Sequence, residues 1–156
     1  MSINTKKLTK GFTIIEVLIV LAIAGLILAI VFLAVPALQR NSRNTAIKTD
    51  ASGIVAGVND FIANNQGQMP TGVTCTNGVV SITGAAGTVP SEAKVRGGTV
   101  CAPGAAVPAA GALGTITIGF NFKCNGQAFL AANRSVAAGF RVENTGTGDA
   151  PQCIES

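Results

Sequence analysis

The chain has 156 residues, about the length of one domain, and contains no His, Trp or Tyr. The lack of His, of close Cys pairs and of nucleophile or phosphate-binding motifs argues against an enzyme, a metal site and a bound cofactor. The net charge of +4 arises mainly from Lys6, Lys7 and Lys10, and the remaining eight basic and seven acidic residues do not indicate nucleic-acid binding.

The first element is an apolar segment from Phe12 to Val35, interrupted by Thr13, Glu16 and Gly25. Its 24 residues suffice for a helix to cross a bilayer, and the lysines before it predict a cytoplasmic N-terminus. A secretory signal peptide would have a shorter apolar core and a better cleavage site than this segment offers at its end. Neither a signal peptide nor a plain anchor explains Glu16, because a carboxylate in a membrane helix is costly and usually functional.

The residues from Lys10 to Gly25 read KGFTIIEVLIVLAIAG. This segment resembles the N-terminal signature of type IV prepilins, of the short-leader type IVa kind, and of the related pseudopilins of type II secretion. The resemblance implies that prepilin peptidase cuts between Gly11 and Phe12 and then N-methylates Phe12. It also implies that Glu16, one turn along the helix, meets the amine of a neighbouring subunit, where Thr13 can add a hydroxyl hydrogen bond.

The resemblance also implies an organisation and partners. Residues 1–11 are the expected leader, and residues 12–36 are the expected transmembrane and assembly helix. Gly25 and Pro36 are the expected positions of a helix kink, although Pro36 comes later than the family usually places its proline. The implied partners are other pilin subunits, prepilin peptidase and an inner-membrane assembly platform, and the implied location is the inner membrane before assembly and the extracellular pilus afterwards.

Residues 37–65 are predicted to continue as an amphipathic helix of a head domain. Apolar residues recur at alternating spacings of four and three, which predicts one buried stripe. The stripe comprises Ile47, Ala51, Ile54, Val58, Phe61 and Ile62, and the charged residues Arg40, Arg43, Lys48, Asp50 and Asp60 fall outside it. Gly53 and Gly57 are expected to weaken the helix by about 1 kcal/mol each relative to Ala.

Residues 66–114 predict a hairpin followed by a long loop. Val73–Cys75 and Val79–Thr83 flank Asn77-Gly78, and Asn-Gly is the strongest short hairpin signal. Residues 84–114 are rich in Gly, Ala and Pro and have no clear period, so they are interpreted as a loop.

Residues 115–156 predict an antiparallel sheet and a C-terminal tail. Apolar and polar residues alternate from Thr115 to Cys124. A turn at Asn125-Gly126 then leads into a strand over 127–131, and a turn at Asn133–Ser135 leads into a strand over 136–143. The result is a three-stranded meander that covers the helix stripe. Residues 144–156 form the tail.

The four cysteines predict two disulfides in an oxidising compartment, because they are even in number and follow a membrane-targeting segment. The sequence permits three pairings. Cys75 with Cys101 and Cys124 with Cys153 are favoured, since each pair joins neighbours along the chain. The expected fold class is α+β: a type IV pilin-like long helix packed on a small antiparallel sheet, with a disulfide-bonded C-terminal region.

The function most consistent with the resemblance is a structural subunit of an extracellular type IV pilus, serving adhesion, motility or DNA uptake. The alternatives are a type II secretion pseudopilin and a secreted or anchored binding protein outside any filament. Major pseudopilins typically carry an acidic calcium-binding loop, and Glu143 with Asp149 supplies no dense oxygen cluster. A binding module would need a basic patch, for which the candidates are Lys94, Arg96, Arg134 and Arg141.

Overall fold

The computed structural model describes residues 11–96, 99–109, 111–144 and 148–156. The chain forms two compact units, Met1–Gln39 and Arg40–Ser156. Its elements are α1 (Ile14–Asn64), β1 (Gly72–Thr76), β2 (Val79–Thr83), β3 (Ser91–Lys94), β4 (Val100–Pro103), β5 (Thr115–Asn125), β6 (Ala128–Asn144) and β7 (Gly148–Glu155). A long apolar helix, antiparallel and mixed sheets and two disulfides confirm the predicted α+β class. The predicted leader lies outside the described residues, except for Gly11.

In the first unit, every described residue from 11 to 39 is exposed, although most are apolar. Helix α1 is long and apolar enough here to cross a membrane, by length and composition. Pro36 lies inside the helix. A helix that is apolar all round needs lipid or other protein around it, so this part of the chain is built for an environment that the chain itself does not supply.

In the second unit, α1 buries the predicted stripe. Ile47, Ala51, Ile54, Val58 and Phe61 are each at most 4% exposed, and Ile62 packs at the edge of the same core. Asp50, which falls outside the apolar stripe, is buried as well. The Asp50 carboxylate accepts hydrogen bonds from Arg96 Nε and Thr99 Oγ1, both at 2.9 Å, and these partners offset the cost of burying the charge.

The two glycines of α1 in the second unit, Gly53 and Gly57, face β3. A Cβ on Gly57 would lie 2.9 Å from the Ala93 Cβ and 3.0 Å from Ile82 Cδ1, whereas one on Gly53 would meet the Lys94 carbonyl oxygen at 3.7 Å. Helix and strand therefore approach too closely at Gly57 for any larger side chain. Gly57 lowers the helix propensity, as the sequence predicts, but glycine is needed here because the helix packs closely on the strand.

Helix α1 ends in a left-handed cap. Gln66 has a φ of 55°, and the Gly67 N–H donates to the Ile62 carbonyl at 2.8 Å. This pattern is the Schellman motif, which satisfies a carbonyl that the helix end leaves unpaired. The buried Asn65 side chain extends the cap, because its amide exchanges hydrogen bonds of 2.9 and 2.7 Å with the Val89 backbone.

The first sheet has the order β1-β2-β3 and is antiparallel throughout. Asn77 and Gly78 form its two-residue turn, with φ values of 51° and 81°, as a type I′ hairpin requires. The hairpin prediction is confirmed. The long-loop prediction for residues 84–114 is wrong in part, because β3 and β4 lie within that range, and such short strands carry too little periodicity to show in a Gly- and Ala-rich sequence.

The second sheet has the order β4-β5-β6-β7. Strand β4 pairs in parallel with β5, and the other two pairs are antiparallel. The predicted tail is wrong for its second part, since β7 pairs with β6 from Asn144↔Gly148 to Ala137↔Glu155. The tail has no core of its own, and backbone pairing with β6 holds it in the sheet.

The predicted turn at Asn133–Ser135 is also wrong, because β6 is one strand across that point. An irregular bulge takes the place of the turn. Phe120 pairs with Val136 and Phe122 pairs with Ala131, so the four residues 132–135 lie opposite Asn121 alone. The predicted meander of three strands over residues 115–143 is therefore one long hairpin with an irregularity in the middle.

The end of the β5–β6 hairpin lies against the face of its own sheet. Asn121 and Arg134, at the bulge, have positive φ values of 65° and 57°. Beyond the bulge, the Phe129 ring lies where Cβ atoms on Gly119 and Gly139 would come within 3.0 Å of it. Glycine at both positions leaves room for this ring.

Two disulfides tie the strands together. Cys75 of β1 is joined to Cys101 of β4, and this bond connects the two sheets. Cys124 of β5 is joined to Cys153 of β7, on the two sides of β6. Both are the pairs that the sequence analysis favoured.

Candidate processing and assembly site

The expected cleavage site lies just ahead of α1. Gly11 and Phe12 precede the helix, and both are exposed, Phe12 at 83%. No described atom lies within 4 Å of the position that a Cβ would take on Gly11. The bond between these residues is therefore not covered by any described part of the chain.

Thr13 and Glu16 form a capping box at the start of α1. The Glu16 carboxylate accepts hydrogen bonds from the Thr13 backbone N–H and the Thr13 hydroxyl, both at 2.9 Å. In return, the Thr13 hydroxyl accepts from the Glu16 backbone N–H at 3.3 Å. The arrangement satisfies backbone donors that a helix N-terminus would otherwise leave unpaired.

This capping box was not among the predictions, although the pattern Thr-x-x-Glu before an apolar segment indicates it. The structure brings Thr13 and Glu16 together within one chain, whereas the resemblance implied a contact between chains. The two roles are compatible, because both hydrogen bonds that the Glu16 carboxylate accepts reach Oε2, and a carboxylate has a second oxygen.

The two predicted kink positions, Gly25 and Pro36, both lie within α1. Apart from its neighbours along the helix, no described atom comes within 4 Å of the position of a Gly25 Cβ. The structure does not bring either residue to Thr13 or Glu16, since they lie several turns along the same helix.

A second polar cluster fixes α1 to β6 within the second unit. Arg43 donates to both carboxylate oxygens of Glu143, through Nε to Oε1 and through Nη2 to Oε2 at 2.7 Å. The Asn44 amide exchanges two hydrogen bonds of 2.8 Å with the Glu143 backbone. The Arg43 hydrogen bonds hold the pKa of Glu143 below its ordinary value, and the same pair raises the pKa of Arg43.

The candidate basic patch is not brought together as one free surface. Arg96 pairs with Asp50, and Arg134 donates to the Gly67 carbonyl at 3.2 Å. Arg141 donates to the Pro108 carbonyl at 2.7 Å and lies 3.5 Å from the Asp149 carboxylate. Three of the four predicted cations thus hold segments of their own chain in place. A cleft of 210 Å³ near Arg43 is lined in part by Arg96 and Arg141.

Comparison with known protein families identifies the N-terminal segment. Residues 6–32 match the family described as the prokaryotic N-terminal methylation motif, the cleavage and methylation signal of type IV pilins. The chain carries the prepilin signal. No curated protein and no solved structure matched the chain. The prepilin signal includes Gly11, Phe12, Thr13 and Glu16, so the capping box lies inside it.

A pilin-like or pseudopilin-like protein follows from the prepilin signal. The motif implies a structural protein, its processing by a peptidase and its assembly with other pilin subunits. The long apolar helix fits membrane anchoring before that assembly. The described residues contain no group of three His, Cys, Asp or Glu side chains that could hold a metal ion.

Proposed function

We propose that this chain is a structural subunit of an extracellular type IV pilus. The observation that carries the proposal is the prepilin signal at residues 6–32, because its part from Ile14 onward lies on a helix whose apolar surface is exposed up to residue 39. Burying that surface among identical helices would remove it from water at about 25 cal/mol per Å². A filament core supplies such an environment without lipid.

Processing precedes assembly in this proposal. Prepilin peptidase cuts between Gly11 and Phe12 and N-methylates Phe12, so that a new charged amine lies beside the apolar helix. An uncompensated charge in a dry core is costly, and an opposite charge offsets much of that cost. Glu16 of a neighbouring subunit supplies this opposite charge, and Thr13 holds the Glu16 side chain in the first turn of its helix.

The proposed partners are copies of the same chain, prepilin peptidase and an inner-membrane assembly platform. The proposed route runs from the inner membrane to the cell surface, where the pilus serves adhesion, motility or DNA uptake. Both disulfides support exposure of the second unit to an oxidising compartment, because cytosolic reductants would keep the four thiols reduced.

A type II secretion pseudopilin is the second candidate, since the prepilin signal is common to both classes. Electron microscopy of sheared surface material, labelled with antibodies against residues 40–156, separates the two. A pilus subunit predicts labelled long fibres on wild-type cells and their loss when the gene is deleted. Fibres that stay unlabelled, or labelled chain found solely as soluble secreted protein, would contradict the proposal.

A further inference from the structure

We propose that Asn133 is an attachment site for an N-linked glycan. The donor class is a sugar carried on a lipid diphosphate, and the enzyme class is a membrane oligosaccharyltransferase that acts outside the cytoplasm. The proposal rests on the proposed function in one respect, which is that residues 40–156 are exported. It adds a chemical modification that neither the prepilin signal nor the assembly helix implies.

The acceptor tripeptide is Asn133-Arg134-Ser135, in which Ser follows Asn at the second position and the middle residue is not Pro. Among the 11 Asn residues of the chain, Asn133 alone has Ser or Thr at that position. A chain with 22 Ser and Thr residues can contain such a tripeptide by chance. Its position in the fold therefore has to carry the inference.

The tripeptide lies in the irregular bulge of β6. Residues 132–135 face a single residue of β5, so their backbone does not continue the regular ladder between the two strands. Asn133 and Arg134 are exposed, and Ser135 is partly exposed. An enzyme can therefore reach the acceptor without breaking the sheet pairing on either side, which a tripeptide inside a regular central strand would not allow.

The side-chain amide of Asn133 is available for reaction. It has no hydrogen-bond partner among the described residues, whereas the amides of Asn44 and Asn65 each bond to backbone groups of another segment. The neighbouring Arg134, in contrast, forms hydrogen bonds to other segments of the chain. Its backbone N–H donates to Asn121 Oδ1 at 3.2 Å, and its guanidinium donates to the Gly67 carbonyl. The hydrogen bonds of Arg134 thus hold the bulge in place, and the exposed Asn133 side chain makes none to the described residues.

The transfer step balances with the donor named above. A bond forms between Asn133 Nδ2 and the anomeric carbon of the first sugar, and the bond from that carbon to the diphosphate oxygen breaks. The lipid diphosphate leaves with the electron pair, and the amide nitrogen gives one proton to a base of the transferase. The Ser135 hydroxyl, two residues on, is the recognition element of the acceptor.

The test is peptide mass mapping of the full-length chain purified from the cells that produce it. We expect the peptide containing Asn133 to carry additional sugar mass, localised to that residue. The variants Asn133→Gln and Ser135→Ala should both lose the mass, and Ser135→Thr should keep it. Asn125→Gln, at the exposed end of β5 beside the hairpin turn, is the matched control and should also keep it.

The N-terminal mass of the same sample keeps this proposal separate from the proposed function. A processed, exported chain with unmodified Asn133 would contradict the glycan and leave the pilus proposal intact. Sugar mass that persists in Ser135→Ala would also contradict it, because that result removes the acceptor tripeptide as the signal. An unprocessed chain with unmodified Asn133 would contradict both proposals.

Discussion

At the first turn of α1, the Glu16 carboxylate serves the helix of its own chain and is proposed to serve a neighbouring subunit as well. The capping role needs an acceptor oxygen, which Gln also supplies. The assembly role needs a negative charge, which Gln lacks. A comparison of Glu, Gln and Ala at this position therefore separates the two roles.

We expect Glu16→Gln and Glu16→Ala both to be processed at Gly11 yet to give few or no filaments, because neither variant supplies a charge for the Phe12 amine. The measurement is the yield of sheared filaments beside the N-terminal mass of the membrane-bound chain. Filaments at wild-type yield from Glu16→Gln would show that capping suffices and would remove the charge-pairing account.

At Glu143, the bond to Arg43 makes a pH-dependent contribution to stability. The folded pKa lies below its ordinary value, so the contribution is complete above the unfolded pKa and is lost as pH falls through the folded one. We expect the denaturant concentration at which half of the full-length chain unfolds in detergent to decrease when the pH is lowered below about 4. Glu143→Gln, which leaves the backbone bonds to Asn44 in place, should flatten part of that fall. An unchanged acid profile in this variant would contradict the assignment.

At the scale of elements, the packing of α1 on β3 depends on Gly57 but not on Gly53. Gly57→Ala should destabilise the second unit by about 1–3 kcal/mol, because its methyl group would press on Ala93 and Ile82. Gly53→Ala is the matched control on the same helix. It meets the Lys94 carbonyl oxygen at an ordinary distance, so improved helix propensity should stabilise it by up to about 1 kcal/mol.

Denaturant unfolding of the purified full-length chain measures both glycine variants. The account requires opposite signs for the two substitutions. Equal destabilisation by both would mean that backbone effects, and not the close approach at Gly57, decide the result.

The C-terminal disulfide is a second prediction at this scale. Cys124 and Cys153 are 29 residues apart, and closing a loop of that size contributes about 3–4 kcal/mol in the chain-entropy model. The double variant Cys124→Ser with Cys153→Ser should unfold at correspondingly lower denaturant concentration. The Cys75–Cys101 bond, intact in this variant, provides the internal control by thiol titration. A double variant as stable as the wild type would show that the strand pairing of β7 alone holds the tail.

For the whole molecule, the sequence could predict those features that depend on residues close together in the chain. Asn77-Gly78 specifies its hairpin locally through its positive φ values, and the buried stripe of α1 shows as periodicity. The burial of Asp50 could not be predicted, because its partner Arg96 lies 46 residues away. The bulge could not be predicted either, since the Asn133–Ser135 segment resembles a turn until β5 is placed opposite it.

The candidate site was predictable to a similar extent. The prepilin signal is a local pattern, so Gly11, Phe12 and Glu16 could be named from the sequence, and the matched family spans all three. The capping box is equally local, and the pattern Thr-x-x-Glu is sufficient to predict it. The surroundings of the exposed helix depend on other molecules, and one chain does not specify them.

The most direct test of the account is the N-terminus of the chain in sheared surface filaments, read by mass spectrometry. The account predicts that the mature chain begins at Phe12 with a methylated amine, and that it keeps the whole helix from Ile14 to Asn64. A mature chain that begins near Pro36 would show ordinary signal-peptide cleavage and loss of the assembly helix. That result would contradict the pilus proposal, because the helix proposed to form the filament core would be absent from the mature chain.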